Sequence, residues 1–339
     1  MNHKINIGWT GPVSPKRYGG TAYGEHSIKA ISKKSQIDLV DVSAKRFKNR
    51  YLRTLESIFY LSKLKGKRDL WIRDFFSTIT LTLDKTEGKN VTIVHHMGFF
   101  TWPLIARFPY FVLEKIFFRN LKKVDAILTI SEYGKNYFLK RGYKNVYKIY
   151  CGFDLNNFNI SDQEVADFKK KYNLEGKPII YLGNCQKAKG VVDAYRVLLG
   201  LDAHLVTSGE QQVKIPARNF SLPYREYLKL LKASSVVLVM FKVKEGWCIT
   251  AHEAMLLKTP VIGSDLGALK ELLVEGKQII CKDFGKLKEK VEYVLHNPDV
   301  GKKMGEDGYN YGKQFTLEKF QNAWLELIDL LTKDFPIPR

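Results

Sequence analysis

The chain has no apolar run suited to crossing a membrane. Its longest apolar stretch, Phe99 to Phe118, is broken by Pro103, Arg107, Pro109, Glu114 and Lys115, whereas a spanning helix needs about 20 largely apolar residues. Met1 to Thr10 lack the apolar centre of a secretory leader, so the expectation is a cytoplasmic chain. Cysteine is scarce. Cys151, Cys185, Cys248 and Cys281 are far apart and show no metal-ligand spacing, which makes reduced thiols the simplest reading. No Asp-x-Asp pair occurs, so that common metal-holding motif is missing. Low-complexity tracts and short-period repeats are also missing, which excludes a solenoid. Acidic residues are scarce in one half: residues 1–160 hold 12 Asp+Glu against 28 Lys+Arg, while residues 161–339 hold 23 against 27. Nearly all of the net charge of +20 therefore lies in the N-terminal half. A field of one sign on that scale calls for an anionic partner, phospholipid or nucleic acid.

What is present is the make-up of a globular chain of two domains: 339 residues, 45% hydrophobic and 27% charged. Short β-branched runs alternate with helical runs, the pattern of parallel sheets covered by helices. The strand candidates of the first half are Ile5–Trp9, Ile37–Val42, Val91–His95, Ala126–Ile130 and Tyr147–Cys151, with helices near 21–35, 50–66, 108–123 and 132–141. Polar residues cluster at Gly152–Ser161 and predict a hinge. The alternation then restarts with Pro178–Gly183, Ala203–Thr207, Ser235–Phe241, Pro260–Ser264 and Gln278–Cys281. The fold class is α/β, with two doubly wound domains facing a central cleft, and ligands are expected beyond the carboxyl ends of the strands. Thr316–Lys333 reads as a final helix with Phe320, Trp324, Leu327, Ile328 and Leu331 on one face, able to bridge the domains.

The most informative segment is Glu245-Gly246-Trp247-Cys248-Ile249-Thr250-Ala251-His252-Glu253, after an apolar strand and at the start of a helix. Free N–H groups at such a start favour a negative group, and Gly246 lets backbone approach a ligand closely. Two glutamates eight positions apart could grip hydroxyls on different parts of one ligand. By themselves they also fit a capped helix with solvated carboxylates.

This block, continuing through Ala254-Met255 to Thr259-Pro260-Val261-Ile262-Gly263-Ser264-Asp265, Gly267 and Glu271, resembles the retaining GT-B glycosyltransferases of family four (group 1), which include phosphatidylinositol mannosyltransferases and sucrose and glycogen synthases. The resemblance implies that Glu245 contacts the donor sugar, that Glu253 holds the ribose, and that backbone from Gly246 through Trp247 and Cys248 to Ile249 lies against sugar and phosphates. Tyr181-Leu182-Gly183-Asn184-Cys185-Gln186-Lys187-Ala188-Lys189-Gly190 resembles the family's strand and loop whose Arg and Lys neutralise the diphosphate. Lys189 matches the Lys, while Asn184 stands where the Arg is expected and cannot form a charged fork. Gly19 and Gly20, within Tyr18-Gly19-Gly20-Thr21, match the family's Gly-Gly loop near the donor phosphates. His95 matches its strand-end His on the donor sugar, with His96 as the other choice. Ala126 to Glu132 resembles the strand ending in Ser-Glu, and Cys151-Gly152-Phe153-Asp154 the Asn-Gly-Val-Asp hinge, with Cys151 in place of the Asn. The resemblance runs from about residue 3 to 332. It implies an acceptor domain over 1–155, a nucleotide-sugar domain over 156–315 and a helix over 316–334 packing back on the first. It further implies a donor substrate of the nucleotide-diphosphate-sugar class, no cofactor and no catalytic metal.

Ser43–Arg68 holds nine Lys+Arg and one acid, Glu56, interleaved with Tyr51, Leu52, Leu55, Ile58, Phe59 and Leu61. A basic amphipathic helix of this kind can lie on anionic lipid, and Phe99–Trp102 and Phe108–Phe118 add apolar surface. The expected partners are thus a nucleotide-sugar, an anionic membrane surface on its cytoplasmic face and a lipid-linked acceptor. Two alternatives compete. A basic nucleic-acid-binding protein fits the charge but leaves the glutamate block unexplained and shows no module signature. An epimerase or phosphorylase on the same plan fits the fold.

Overall fold

The computed structural model describes residues 4–10, 19–40, 46–96 and 104–333. The chain divides into two compact units. One comprises Met1–Gly152 with Leu317–Arg339, and the other Phe153–Thr316.

The first unit is built in the order β1 (Ile5–Thr10), α1 (Gly19–Ile31), β2 (Ser35–Val40), α2 (Arg50–Ser62), β3 (Lys65–Arg73), α3 (Phe75–Ile79), β4 (Lys85–Val94), α4 (Leu104–Asn120), β5 (Ala126–Thr129), α5 (Glu132–Leu139) and β6 (Val146–Lys148). Its six strands are parallel, in the order β2-β1-β3-β4-β5-β6. The ends of β1, β3 and β4 are buried and mostly apolar, as expected of strands covered on both faces. Phe117, Leu121, Ile127, Phe138 and Val146 pack into one cluster against them. The C-terminal helix Leu317–Thr332 belongs to this unit and packs on α1, where Tyr23 meets Phe320 and Trp324 at 5.2 and 6.4 Å between ring centroids.

Strand β3 corrects the sequence reading, which ran a helix to residue 66 and placed no strand there. Helix α2 stops at Ser62, and β3 opens with Lys65, Lys67 and Arg68, charges that disguise it. Its last residue, Arg73, is buried. The guanidinium donates to Asp84 at 2.8 Å, Asn90 at 2.6 Å, Thr86 at 2.6 Å and the Ser77 carbonyl at 2.9 Å, so the buried charge is fully paired.

The second unit runs α6 (Asp162–Lys171), β7 (Ile179–Asn184), α7 (Val191–Leu198), β8 (His204–Ser208), β9 (Arg218–Phe220), α8 (Tyr224–Ala233), β10 (Val236–Val239), α9 (Ile249–Leu256), β11 (Val261–Gly263), α10 (Ala268–Glu275), β12 (Ile279–Ile280), α11 (Leu287–His296) and α12 (Pro298–Gly312). The sequence reading missed β9, which is three residues long with one buried side chain. The sheet is parallel, in the order β9-β8-β7-β10-β11-β12, a doubly wound arrangement whose order reverses between β7 and β10. Such a reversal leaves a crevice at the carboxyl ends of the two strands. Ile180, Leu182, Val191, Leu198, Val236 and Leu238 form the core beneath it.

Candidate functional site

The loops that follow β7 and β10 interlock at this switch point. Lys242 N–H donates to the Ala188 carbonyl at 3.0 Å. Gly190, at φ +74°, lies so close that a Cβ there would meet the Met240 carbonyl oxygen at 2.0 Å, which only glycine permits. This contact carries Lys189 across to the second loop. Its ammonium donates to Glu245 Oε1 at 2.5 Å and sits 4.1 Å from the centre of the Phe241 ring. Glu245 is buried, and its backbone is held from the other side: it forms a parallel bridge with Gly267, and the Ala268 N–H donates to its carbonyl at 2.9 Å. Two residues 56 positions apart thus become one ion pair at the crevice.

Gly246, Trp247 and Cys248 lead from Glu245 into α9. The Trp247 side chain turns inward. Its Nε1–H donates to His252 Nδ1 at 3.2 Å, and its ring packs on Phe315, so a ligand meets backbone here rather than indole. His252 Nε2 lies 3.0 Å from the Gly312 carbonyl. With Nδ1 accepting, Nε2 carries the proton, and burial lowers the pKa to about 4, so the ring is neutral. His252 is therefore a strut from α9 to α12, stacked on Phe153 at 4.2 Å. Cys248 is the N-cap of α9 and accepts the Ala251 N–H at 3.4 Å. The thiol thus takes one of the helix-start donors that the sequence assigned to a phosphate. Burial pushes its pKa up to about 12, so it caps as a thiol and not as an anion. Ile249 opens α9 as its first residue.

Glu253 follows on α9, buried, and accepts the Tyr224 hydroxyl at 2.8 Å. It lies near enough to Tyr181, Tyr227 and Cys248 to help raise their pKa values, burial being the larger cause for each. Gly183 and Asn184 end β7. The structure thus brings Gly183, Asn184, Lys189, Glu245, Gly246, Cys248, Ile249 and Glu253 to one edge of the second sheet. Sequence reasoning missed Tyr181, Ser208, Tyr224 and Tyr227, the hydroxyl residues around this edge. Tyrosines on core strands and helices read as packing, and only the fold shows where their hydroxyls end.

In the first unit, Gly19 and Gly20 are the first two residues of α1, so this pair opens a helix rather than sitting in a loop. The residues before them, 11–18, lie outside the described residues. His95 directly follows β4, half-buried, with its ring edge-on to Tyr23 at 5.1 Å. Tyr23 is fixed in turn, donating to the Ile149 carbonyl at 3.1 Å. Burial, and then the neighbouring His96, lowers His95 to about 3, so the ring is neutral near pH 7. His96 is exposed. Among the described residues, no group of three or more His, Cys, Asp or Glu is placed to hold a metal ion.

The same unit carries the basic amphipathic element. Asn49 caps α2 through the Tyr51 and Leu52 N–H groups. Tyr51, Leu55 and Phe59, spaced by four, are exposed together with Leu52 and Tyr60. The lone acid, Glu56, is buried and accepts the Arg46 and Phe47 N–H groups at 3.0 to 3.3 Å. Helices α2 and α4 both pack on α3, and α4 exposes Phe108, Phe111 and Val112. Lys45 and Phe99–Trp102 lie outside the described residues, and among the described residues no helix is long and apolar enough to cross a membrane.

Comparison with known proteins bears on the family and the fold. Residues 162–311 match the family described as glycosyl transferases group 1. The chain is 26% identical over 204 residues to a trehalose synthase of Thermococcus litoralis, a match covering 51% of this chain and 49% of that one. It therefore spans about half the length of the curated relatives it matches. Among solved structures, sucrose-phosphate synthase from Thermosynechococcus elongatus superposes with a TM-score of 0.79 at 17% identity, covering 97% of this chain and 100% of that one. HepE of Anabaena, in complex with UDP-glucose, superposes with a TM-score of 0.75 at 11% identity, covering 96% and 100%. These likenesses give the fold as GT-B.

Proposed function

We propose that the chain, whose residues 162–311 match the glycosyl transferases group 1 family, moves a sugar, with retention, from a nucleotide-diphosphate-sugar to an acceptor met at an anionic membrane surface. The observation that carries the transferase reading is the Lys189–Glu245 pair at the switch point of the second sheet. A cation and a buried carboxylate side by side suit a donor that has an anionic diphosphate next to a polyhydroxyl sugar. Lys189 is the group for the phosphate, Glu245 for the sugar hydroxyls and Glu253 for the ribose. The neutral His95 is a hydrogen-bonding group for the sugar, and the backbone of Gly246 to Ile249 lines the phosphate side.

In this reading the bond between the sugar's anomeric carbon and the phosphate oxygen breaks as the acceptor oxygen bonds to that carbon on the same face. The acceptor's proton goes to the departing phosphate oxygen. Lys189 and backbone N–H groups stabilise the charge that develops there, and no residue of the chain is required as a covalent nucleophile.

Support for a membrane-borne acceptor comes from the first unit. It pairs exposed Leu55, at 62%, and Phe108, at 75%, with an excess of cations. Clusters of that kind draw a protein to acidic lipid, each cation near the surface adding about 1 kcal/mol. Four cysteines without disulfides suit the cytoplasmic face of that membrane. A second reading, a soluble sugar acceptor, is favoured by the relative named as a trehalose synthase.

A thermal-shift panel of nucleoside diphosphates and nucleotide-sugars tests the donor, because a ligand selective for the folded state raises Tm. UDP is the first probe, since a protein of the same fold was solved with UDP-glucose. A shift with one diphosphate and its sugar conjugates is the expected result. No shift with any of them would remove the transferase reading.

A further inference from the structure

Asn184 ends β7 beside the Lys189 loop, and two buried hydroxyls converge on it. The hydroxyl of Tyr181, on the same strand, lies 3.0 Å from Asn184 Oδ1, and that of Ser208, at the end of β8, lies 3.3 Å from the same oxygen. The two hydroxyls lie 2.7 Å from each other. Behind them Tyr227, on α8, sets its ring edge against Tyr181 at 6.2 Å between centroids and donates to Thr250 Oγ1, in the first turn of α9, at 3.2 Å. Tyr227 thus packs the helix that carries Glu253 against the ring of Tyr181.

This geometry has a directional consequence. The two hydroxyls carry two protons: one joins them to each other and the other goes to the carbonyl oxygen of the amide, and the amide nitrogen leaves the same carbon on the opposite side. Nδ2, with two N–H donors, is turned away from Tyr181 and Ser208. Tyr181 is wholly buried, and burial raises its pKa, so its hydroxyl remains a donor throughout the working pH range. An amide fixed in this way is a rigid neutral donor at a position where a charged fork is expected.

We propose that Tyr181 and Ser208 are positioning residues that hold the Asn184 amide with Nδ2 presented to the distal phosphate of the donor, so that one oriented neutral amide and one ammonium, Lys189, do the work of two cations. The inference rests on the nucleotide-sugar reading above, and no contact outside the second unit enters it. A neutral donor contributes hydrogen bonding without long-range attraction. Diphosphate binding should therefore depend on the orientation of Asn184 more than on its presence alone.

The test is calorimetry with UDP and with UMP, on folded proteins verified by Tm. Tyr181→Phe keeps the ring and removes the hydroxyl that orients the amide. The expected result is UDP binding weakened five- to twentyfold with UMP binding changed less than twofold, and the same split for Asn184→Ala. In Asn184→Asp, Tyr181 and Ser208 still satisfy one oxygen while the other faces the phosphate. UDP binding should fall at least fiftyfold and recover as pH drops enough to protonate that carboxyl. Asn184→Arg should bind UDP at least as well as the wild type, with a steeper salt dependence. Equal losses of UDP and UMP in Tyr181→Phe would mean a merely structural role and overturn the proposal, as would unchanged UDP binding in Asn184→Ala. If wild type binds UDP and the variants bind it equally well, only the positioning role falls. If wild type binds neither UDP nor any of the other diphosphates in the panel, the nucleotide-sugar reading falls first.

Discussion

Lys189 and Glu245 form an ion pair at 2.5 Å, so a phosphate bound as proposed would compete with a carboxylate for the same ammonium. Binding and chemistry should come apart when one partner is altered. In Glu245→Gln the ammonium loses its counter-charge but keeps a neutral acceptor of the same shape. Affinity for the free diphosphate is expected to stay equal or tighten by a few fold, while turnover falls roughly a hundredfold, the order found when one transition-state contact is removed. In Lys189→Met, affinity itself should drop by about 1.5–3 kcal/mol, the range for a hydrogen bond to a charged group. Calorimetry and single-turnover rates separate the two. Equal losses of affinity and rate in Glu245→Gln would contradict the division of roles.

Glu253 takes its orientation from the Tyr224 hydroxyl at 2.8 Å. Glu253→Ala is expected to weaken binding of the nucleoside diphosphate by about 1–3 kcal/mol, and Tyr224→Phe by about 1 kcal/mol through a less firmly held carboxylate. Replacing the ribose nucleotide with its 2′-deoxy counterpart should shrink the Glu253→Ala effect, which calorimetry can follow. An undiminished affinity in folded Glu253→Ala would take this residue out of the site.

Gly267 is where stability and the site meet. It adopts φ +66°, and a Cβ there would come 2.5 Å from the Glu245 carbonyl oxygen and 2.8 Å from its nitrogen. Gly267→Ala is therefore expected to cost about 1–3 kcal/mol of folding stability, the range for a residue forced into a sparsely populated conformation. Because the collision falls on Glu245, turnover should drop as well. Denaturant unfolding measures the first effect. A Gly267→Ala protein with wild-type stability would show that the loop yields without strain.

The switch point was legible because glycines and glutamates mark it in linear order: Gly183, Gly190, Glu245, Gly246 and Glu253 announce a strand, a turn and a helix start. What the sequence hid follows from how folding uses side chains. Trp247 was expected to offer its backbone, and the sequence did not show that its indole turns inward onto His252. Cys248 was expected to offer its backbone to the ligand, and the sequence did not show that its sulfur caps α9. β3 was missed because its outer half is lysine and arginine and its inner end is Arg73, whose buried guanidinium is paired mainly with Asp84, Thr86 and Asn90, 11 to 17 positions on. Linear pattern reports apolar faces well and reports paired polar groups poorly, since the partners that make burial tolerable are distant.

His252 makes stability depend on pH. Its pKa in the folded chain is about 4, below the ordinary 6.5 of the unfolded one. As pH falls through 6.5 the unfolded chain takes up a proton that the folded chain refuses until about pH 4, so stability is full above 6.5 and is lost across this window. For a fully buried group the loss amounts to about 3 kcal/mol at most, at 1.36 kcal/mol per unit. His95, lowered to about 3, acts in the same direction. His252→Gln gives up packing on Phe153 at every pH, but its denaturant midpoint should fall less between pH 7 and pH 4.5 than that of wild type. Identical slopes for the two proteins would mean that His252 titrates normally.

The membrane reading can be separated into charge and apolar parts. Arg46, Lys48, Arg53 and Lys63 flank the exposed Tyr51, Leu55 and Phe59, and the one nearby acid, Glu56, is occupied beneath them by backbone N–H groups. Attraction to acidic lipid decays within about 10 Å at 0.1 M salt, whereas apolar burial at the interface does not depend on salt. Wild type should therefore float with vesicles containing acidic phospholipid at low salt, bind neutral vesicles weakly and release at high salt. Replacing Arg46, Lys48, Arg53 and Lys63 with Gln should abolish the preference for acidic lipid. Leu55→Ser with Phe59→Ser should keep the preference but raise the salt sensitivity, because the salt-independent share is gone. Both variants should bind the nucleoside diphosphate as wild type does, since Lys189, Glu245 and Glu253, the residues proposed to hold the donor, belong to the other unit. If wild type remains in the soluble fraction at low salt whatever the lipid charge, the surface reading fails and a soluble sugar acceptor takes its place.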